Sequence, residues 1–151
     1  MLVSYPALFY FEVSEGYESG FSVFFPDFPD VAGTSGSDVS EAIENASDFL
    51  GILLADDIEA GRDLSKPSLI SSLSLEKNNP FKDDPDFTLE YDSEKSFTSM
   101  VSVDLEEYLG LDEPTKKTLT IPKWADKMGK ELNLNFSKTL TDAIMREKLG
   151  A

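Results

Sequence analysis

The chain has 151 residues, 40% hydrophobic and 11% aromatic, with a formal net charge of −16, which suits one compact domain, or a small domain with an appendage, built on a packed core. It contains no cysteine and no histidine, which excludes disulfides, thiolate nucleophiles and zinc–thiolate sites, and removes the commonest general base. No stretch approaches the roughly 18 apolar residues of a membrane span, and Met1-Leu2-Val3-Ser4-Tyr5-Pro6 has no basic leader, so a cytoplasmic protein is expected.

Tyr5 to Val13 is rich in aromatic and β-branched residues and is predicted as a strand. Ser14 to Gly20 turns the chain, and Phe21 to Phe25 forms the second strand of a hairpin. Asp27-Phe28-Pro29-Asp30 breaks it, because proline cannot donate to a ladder. Val31 to Ser35 reads as a short third strand ending at Gly36. A helix follows, capped by Ser37 or Asp38, with Glu41 at capping-box spacing from Asp38. Val39, Ala42, Ile43, Ala46, Phe49, Leu50, Leu53, Leu54 and Ile58 recur on one face of it, and Gly61 supplies the stop. That face is expected to lie on the hairpin sheet. Leu69 to Leu73 then reads as a short strand, Asn78 to Asp86 as a mobile proline-broken loop, and Phe87 to Tyr91 as an edge strand. Phe97 to Val103 completes the sheet, and Asp104 to Leu109 makes one or two helical turns.

The charge is unevenly placed. Residues 115–151 carry eight basic and four acidic side chains, leaving five basic and 25 acidic for residues 1–114. An acidic part that repels nucleic acid thus precedes a basic part able to hold it, which points to two modules with two partners. In the basic part, Lys117, Leu119 and Ile121 alternate strictly with Lys116, Thr118 and Thr120. Pro122 opens a helix with Trp124, Ala125, Met128 and Leu132 on one side. Asn133-Leu134-Asn135 turns the chain, and Ser137 caps a second helix whose apolar face holds Leu140, Ala143, Ile144 and Leu149.

One strand and two short helices have too little apolar surface to stand alone. Two copies answer this by pairing their strands antiparallel across a two-fold axis. Leu119, Ile121, Trp124, Leu140 and Ile144 then form a dimer core, while Lys116, Thr118 and Thr120 project from a two-stranded ribbon that fits a major groove. Asn135 and Ser137, at the start of the second helix, suit a phosphate.

The run from Lys117 to Trp124, followed by Leu134 to Ala143, resembles the ribbon-helix-helix ending of HicB antitoxins. Tyr5-Pro6-Ala7, Phe25 to Asp30, Gly36, Glu41-Ala42, Asn45-Ala46 and Pro67-Ser68 resemble the front domain of that family. The resemblance spans nearly the whole chain and implies an α+β fold: a hairpin-based antiparallel sheet packed on one main helix, related to a degenerate ribonuclease H domain, then a dimerising βαα module. It implies residues 1–110 as a toxin-binding domain, 111–115 as linker and 116–151 as the DNA-binding tail. It further implies a HicA-type toxin that cleaves messenger RNA, an operator as the DNA partner, and a homodimer or higher oligomer. The family's glycine between the two tail helices is replaced here by Asn133.

Phe25, Asp27, Phe28 and Asp30 are expected as a structural or toxin-facing rim, with Glu44, Asp48, Asp56 and Asp57 as further acidic contacts. Asp27 and Asp30 beside a sheet also raise a magnesium-dependent nuclease, but no further matching carboxylate set is evident. Neither catalysis nor a cofactor is expected. The rival of another class is a stand-alone transcription regulator whose front domain senses a ligand or drives oligomerisation.

Overall fold

The computed structural model describes residues 1–13, 15, 16, 18–110 and 114–150. The chain divides into two compact units, one of Leu2–Tyr108 and one from Leu109 onward. Ser14 and Tyr17 of the predicted hairpin turn, and residues 111–113 of the predicted boundary and linker, lie outside the described residues.

In the front unit, β1 (Leu2–Glu12), β2 (Gly20–Phe24), β3 (Thr34–Gly36) and β4 (Phe97–Asp104) form one antiparallel sheet in the order β3-β2-β1-β4. β1 starts earlier than predicted because β4, from the far end of the unit, pairs with it from Leu2↔Asp104 to Phe9↔Phe97. β2 joins β1 only from Leu8↔Phe24 onward. Phe11 bonds toward the β4 side through both its N–H, to Ser96 Oγ, and its carbonyl, to Asp92 N. By alternation Pro6 turns its nitrogen the other way, where β2 has not begun, so its missing donor breaks no ladder.

Tyr5, Ala7, Phe9, Phe21, Val23, Val101 and Val103 share one face of the sheet and are all buried. Helix α1 (Val39–Glu59) packs there with Ala42, Ala46, Leu50 and Leu54, each fully buried. Burial of each leucine contributes about 2 kcal/mol, and the two alanines let the helix approach closely. Asp38 is the cap, its side chain accepting from Glu41 N at 2.8 Å. The Glu41 carboxylate, however, closes the box on Ser37, through its N–H at 2.6 Å and its hydroxyl. These bonds hold the Glu41 carboxyl below its ordinary range. Val39 and Ile43, predicted on the buried face, are instead well exposed. The stop is Ala60 with Gly61 in the left-handed region at φ 70°.

Leu8 and Tyr10 point to the opposite face, where Leu75, Phe81, Leu89 and Tyr91 cover them together with Phe24. The covering segment, residues 62–96, has no ladder of its own. The predicted strand at Leu69–Leu73 is a 3-10 turn, Ile70–Ser72, closed by Ser72 N–H to Leu69 O (2.9 Å) and Leu73 N–H to Ile70 O (3.1 Å). The predicted edge strand at Phe87–Tyr91 reduces to one bridge, Glu12↔Tyr91. Its alternation is real, but it serves packing: Leu89 and Tyr91 drop onto the sheet without a continuous ladder. The Asn78–Asp86 loop is turn-bonded (Lys82 N–H to Asn79 O, Asp84 N–H to Phe81 O), with Phe81 edge-on to Phe24 and Phe87. Tyr10 donates to Leu75 O at 2.6 Å, and burial pushes its phenol well above the usual range.

After β4, a 3-10 turn (Leu105–Glu107) brings Tyr108 against Gly51 of α1, so closely that a Cβ at Gly51 would stand 2.5 Å from the ring. The tyrosine donates to Asp48 Oδ1 at 2.9 Å.

The second unit contains α2 (Lys123–Glu131) and α3 (Phe136–Leu149). Leu134 N–H bonds Gly129 O at 2.9 Å, and Gly129 is buried with the Phe136 ring where its Cβ would be. No helix among the described residues is long and apolar enough to cross a membrane.

Candidate functional site

The basic tail is built around a segment without secondary structure. Residues 114–121 form no strand in the single chain, and Lys116, Thr118, Leu119, Thr120 and Ile121 are all exposed. The strand predicted at 116–121 is therefore not formed in the single chain, where the segment has no ladder partner. Pro122 stands at the N-cap of α2 and fixes the entry to the helix.

Asn133 takes the left-handed turn between the helices at φ 53°. Asparagine tolerates that region better than other residues with a Cβ, so it does here what a glycine does elsewhere. Asn135, rather than the predicted Ser137, caps α3: its Oδ1 accepts from Lys138 N at 3.1 Å. Ser137 is the second residue of the helix, and both are exposed. The capping amide thus takes up one first-turn N–H, and no acid stands in that turn.

The cations divide into two groups. Lys127, Lys130 and Lys138 form exposed i,i+4 pairs with Glu131, Asp126 and Asp142, at 4.0, 2.8 and 3.4 Å, each contributing only a few tenths of a kcal/mol. Lys116, Lys117 and Lys123, on and beside that segment, form no ion pair among the described residues. On the helices, Trp124, Met128, Leu132 and Ile144 are largely exposed, and Leu140 partly so, whereas Met145 is buried.

The four residues singled out in the front unit are not one surface. Phe25 stacks on Phe49 at 6.0 Å and Phe28 lies 5.1 Å from Tyr5; both rings are buried, so they are core rather than rim. Asp27 accepts from both the N–H and the hydroxyl of Ser68, tying the covering segment to the end of β2. Only Asp30 is exposed. Among the described residues no group of three His, Cys, Asp or Glu could hold a metal ion.

Two features were missed from sequence. Ile52 is 58% exposed on α1, and Tyr108 lies across the same helix beside Asp48. Ile52 was legible, since it falls outside the apolar face that Leu50 and Leu54 define. Tyr108 was not, because only tertiary folding brings it to α1.

No protein-family model matches the chain, and no curated protein matches it. Among solved structures, it is similar to a chain of a toxin–antitoxin complex from Streptococcus pneumoniae, with 59% identity over 98% of this chain and 100% of that one, and a TM-score of 0.70. It also shares the fold of the antitoxin HicB from Burkholderia pseudomallei, at 21% identity and a TM-score of 0.52, over 96% of this chain and 98% of that one.

Proposed function

Because this chain belongs to the HicB-type antitoxins of toxin–antitoxin systems, we propose that its front unit neutralises a HicA-type, messenger-RNA-cleaving toxin and that its paired tails repress its own operon. Inhibition is steric: the front unit covers the toxin's working surface in the cytoplasm, without chemistry or a cofactor. The strongest support for a toxin partner is the likeness, over its full length, to a chain of a toxin–antitoxin complex.

A single observation carries the DNA half. Leu119, Ile121, Trp124, Met128, Leu132 and Ile144 are 44 to 68% exposed in one chain, more apolar surface than a module this small ordinarily leaves in water. Pairing the 116–121 segments of two chains covers Leu119 and Ile121. It leaves Lys116, Thr118 and Thr120 on the outer side of a two-stranded ribbon in a major groove. The donors at the start of α3, with Asn135 and Ser137, then meet a phosphate.

The test is binding of the chain to its own upstream DNA against random DNA, across a salt series. Thr118→Ala with Thr120→Ala should lower the preference for operator, while Lys116→Ala should weaken both and reduce the salt slope by about one. Deleting residues 115–151 should abolish operator binding and still rescue growth when the toxin is co-expressed. Operator binding that survives the deletion removes the tail assignment, and lost rescue removes the division of labour.

A further inference from the structure

Helix α1 turns to solvent a face that the front unit does not use. Glu44, Asp48 and Ile52 succeed one another there at one-turn spacing, and all three are exposed. Ile52 stands among carboxylates on the polar side of an amphipathic helix, where it adds nothing to the core beneath. Ile43, 42% exposed, lies at the edge of this face. Tyr108, seated on Gly51, forms its wall. Ile43, Glu44, Asp48 and Tyr108, with Ser102 from β4, line an open cleft of about 450 Å³.

The tyrosine hydroxyl holds Asp48 by Oδ1, and the second carboxylate oxygen takes no hydrogen bond among the described residues. One turn beyond Ile52 the character changes, because Arg62 pairs with both Asp56 and Asp57. Arg62 thus offsets one of those two charges, whereas Glu44 and Asp48 beside Ile43 and Ile52 form no ion pair among the described residues.

We propose that this face, with Ile52 as its apolar anchor and Glu44 and Asp48 as its charged flank, is the docking surface for a basic protein, namely the toxin of the function proposed above, on which this inference rests. The occupant's chemistry follows from complementarity. Residues 1–114 hold 25 acidic against five basic groups, so nucleic acid is repelled. A protein that grips RNA must itself present cations, and those would be steered onto this face. Binding energy at protein interfaces concentrates in a few central side chains that the contacts around them shield from water, the place that Ile52, one turn from Asp48, holds on this face.

The full-length chain is titrated onto the HicA-type toxin encoded beside it, immobilised in an inactive form, and is also sedimented alone. Glu44→Lys with Asp48→Lys should weaken binding about tenfold or more, mainly through slower association, and flatten its salt dependence. Ile52→Asp should weaken it by a similar factor through faster dissociation. Asp83→Lys with Asp84→Lys, the same charge change placed in the 78–86 loop, should shift affinity by less than about threefold. Circular dichroism should be unchanged in all variants, since every altered side chain is exposed. Wild-type affinity in both α1 variants overturns the proposal, as does an equal loss in the loop variant. It is also overturned if the α1 variants alter sedimentation of the chain alone but not toxin binding, which makes a second copy the occupant. Failure of the wild-type chain to bind the toxin is a different result: it removes the neutralising function itself, and this face with it.

Discussion

Ile144 tests the paired tail most directly, because it is 61% exposed in one chain and covered only if a second chain arrives. Complete burial of an isoleucine side chain contributes about 1.5 to 3 kcal/mol. With somewhat over half of that still available on pairing, and a methyl left by alanine, Ile144→Ala should forgo about 1 kcal/mol per copy. A two-fold dimer contains the contact twice, so dimerisation should weaken by about 2 kcal/mol, or roughly thirtyfold in Kd. Sedimentation equilibrium over a concentration series measures this, while the unfolding of the front unit, which lies in other residues, should not move. A wild-type chain that stays monomeric throughout, or an Ile144→Ala chain with the wild-type Kd, would refute the reasoning.

Leu54 is fully buried under the sheet, so Leu54→Ala should cost about 2 to 5 kcal/mol, read as a lower urea midpoint; a loss below about 1 kcal/mol would mean the core repacks. Asn133 has φ 53°, so Asn133→Val should destabilise the tail by about 1 to 2 kcal/mol whereas Asn133→Gly should be tolerated, as far-ultraviolet melting would show. The Glu41 carboxyl is lowered first by the Ser37 hydroxyl and then by the Ser37 N–H. A depressed folded pKa stabilises above the unfolded value, and that contribution is lost as pH falls through the folded one. In a carbon-detected NMR titration Ser37→Ala should therefore move Glu41 back toward 4.5, and an unmoved titration would assign the shift elsewhere.

What could be read in advance was whatever local spacing determines. The capped helix α1, the β1–β2 hairpin, β4 and both tail helices announce themselves through periodicity, cap residues and prolines. What escaped depends on partners distant in sequence. The extension of β1 to Leu2 exists only because β4 runs beside it. Phe87 to Tyr91 alternates like a strand because the sheet beneath absorbs every second side chain, and alternation cannot distinguish a ladder from a lid. At Leu69–Leu73 the bonds close locally, helped by Ser72 Oγ donating to Leu69 O at 2.7 Å, a competition that short hydroxyl side chains often win. Phe25 and Phe28 were drawn toward the surface by the prolines around them, although two aromatic rings at a strand end had core neighbours to find in Tyr5 and Phe49.

If the unladdered stretch before Pro122 finds its partner in a second chain, the proposed repression becomes a second-order affair. If DNA reading needs two chains and inhibition needs one, losing half the antitoxin leaves about a quarter of the repressing pairs wherever free chains predominate, but half of the inhibiting front units. Transcription of the operon would then resume while half of the inhibiting front units are still in place, so resupply begins before the toxin is fully released.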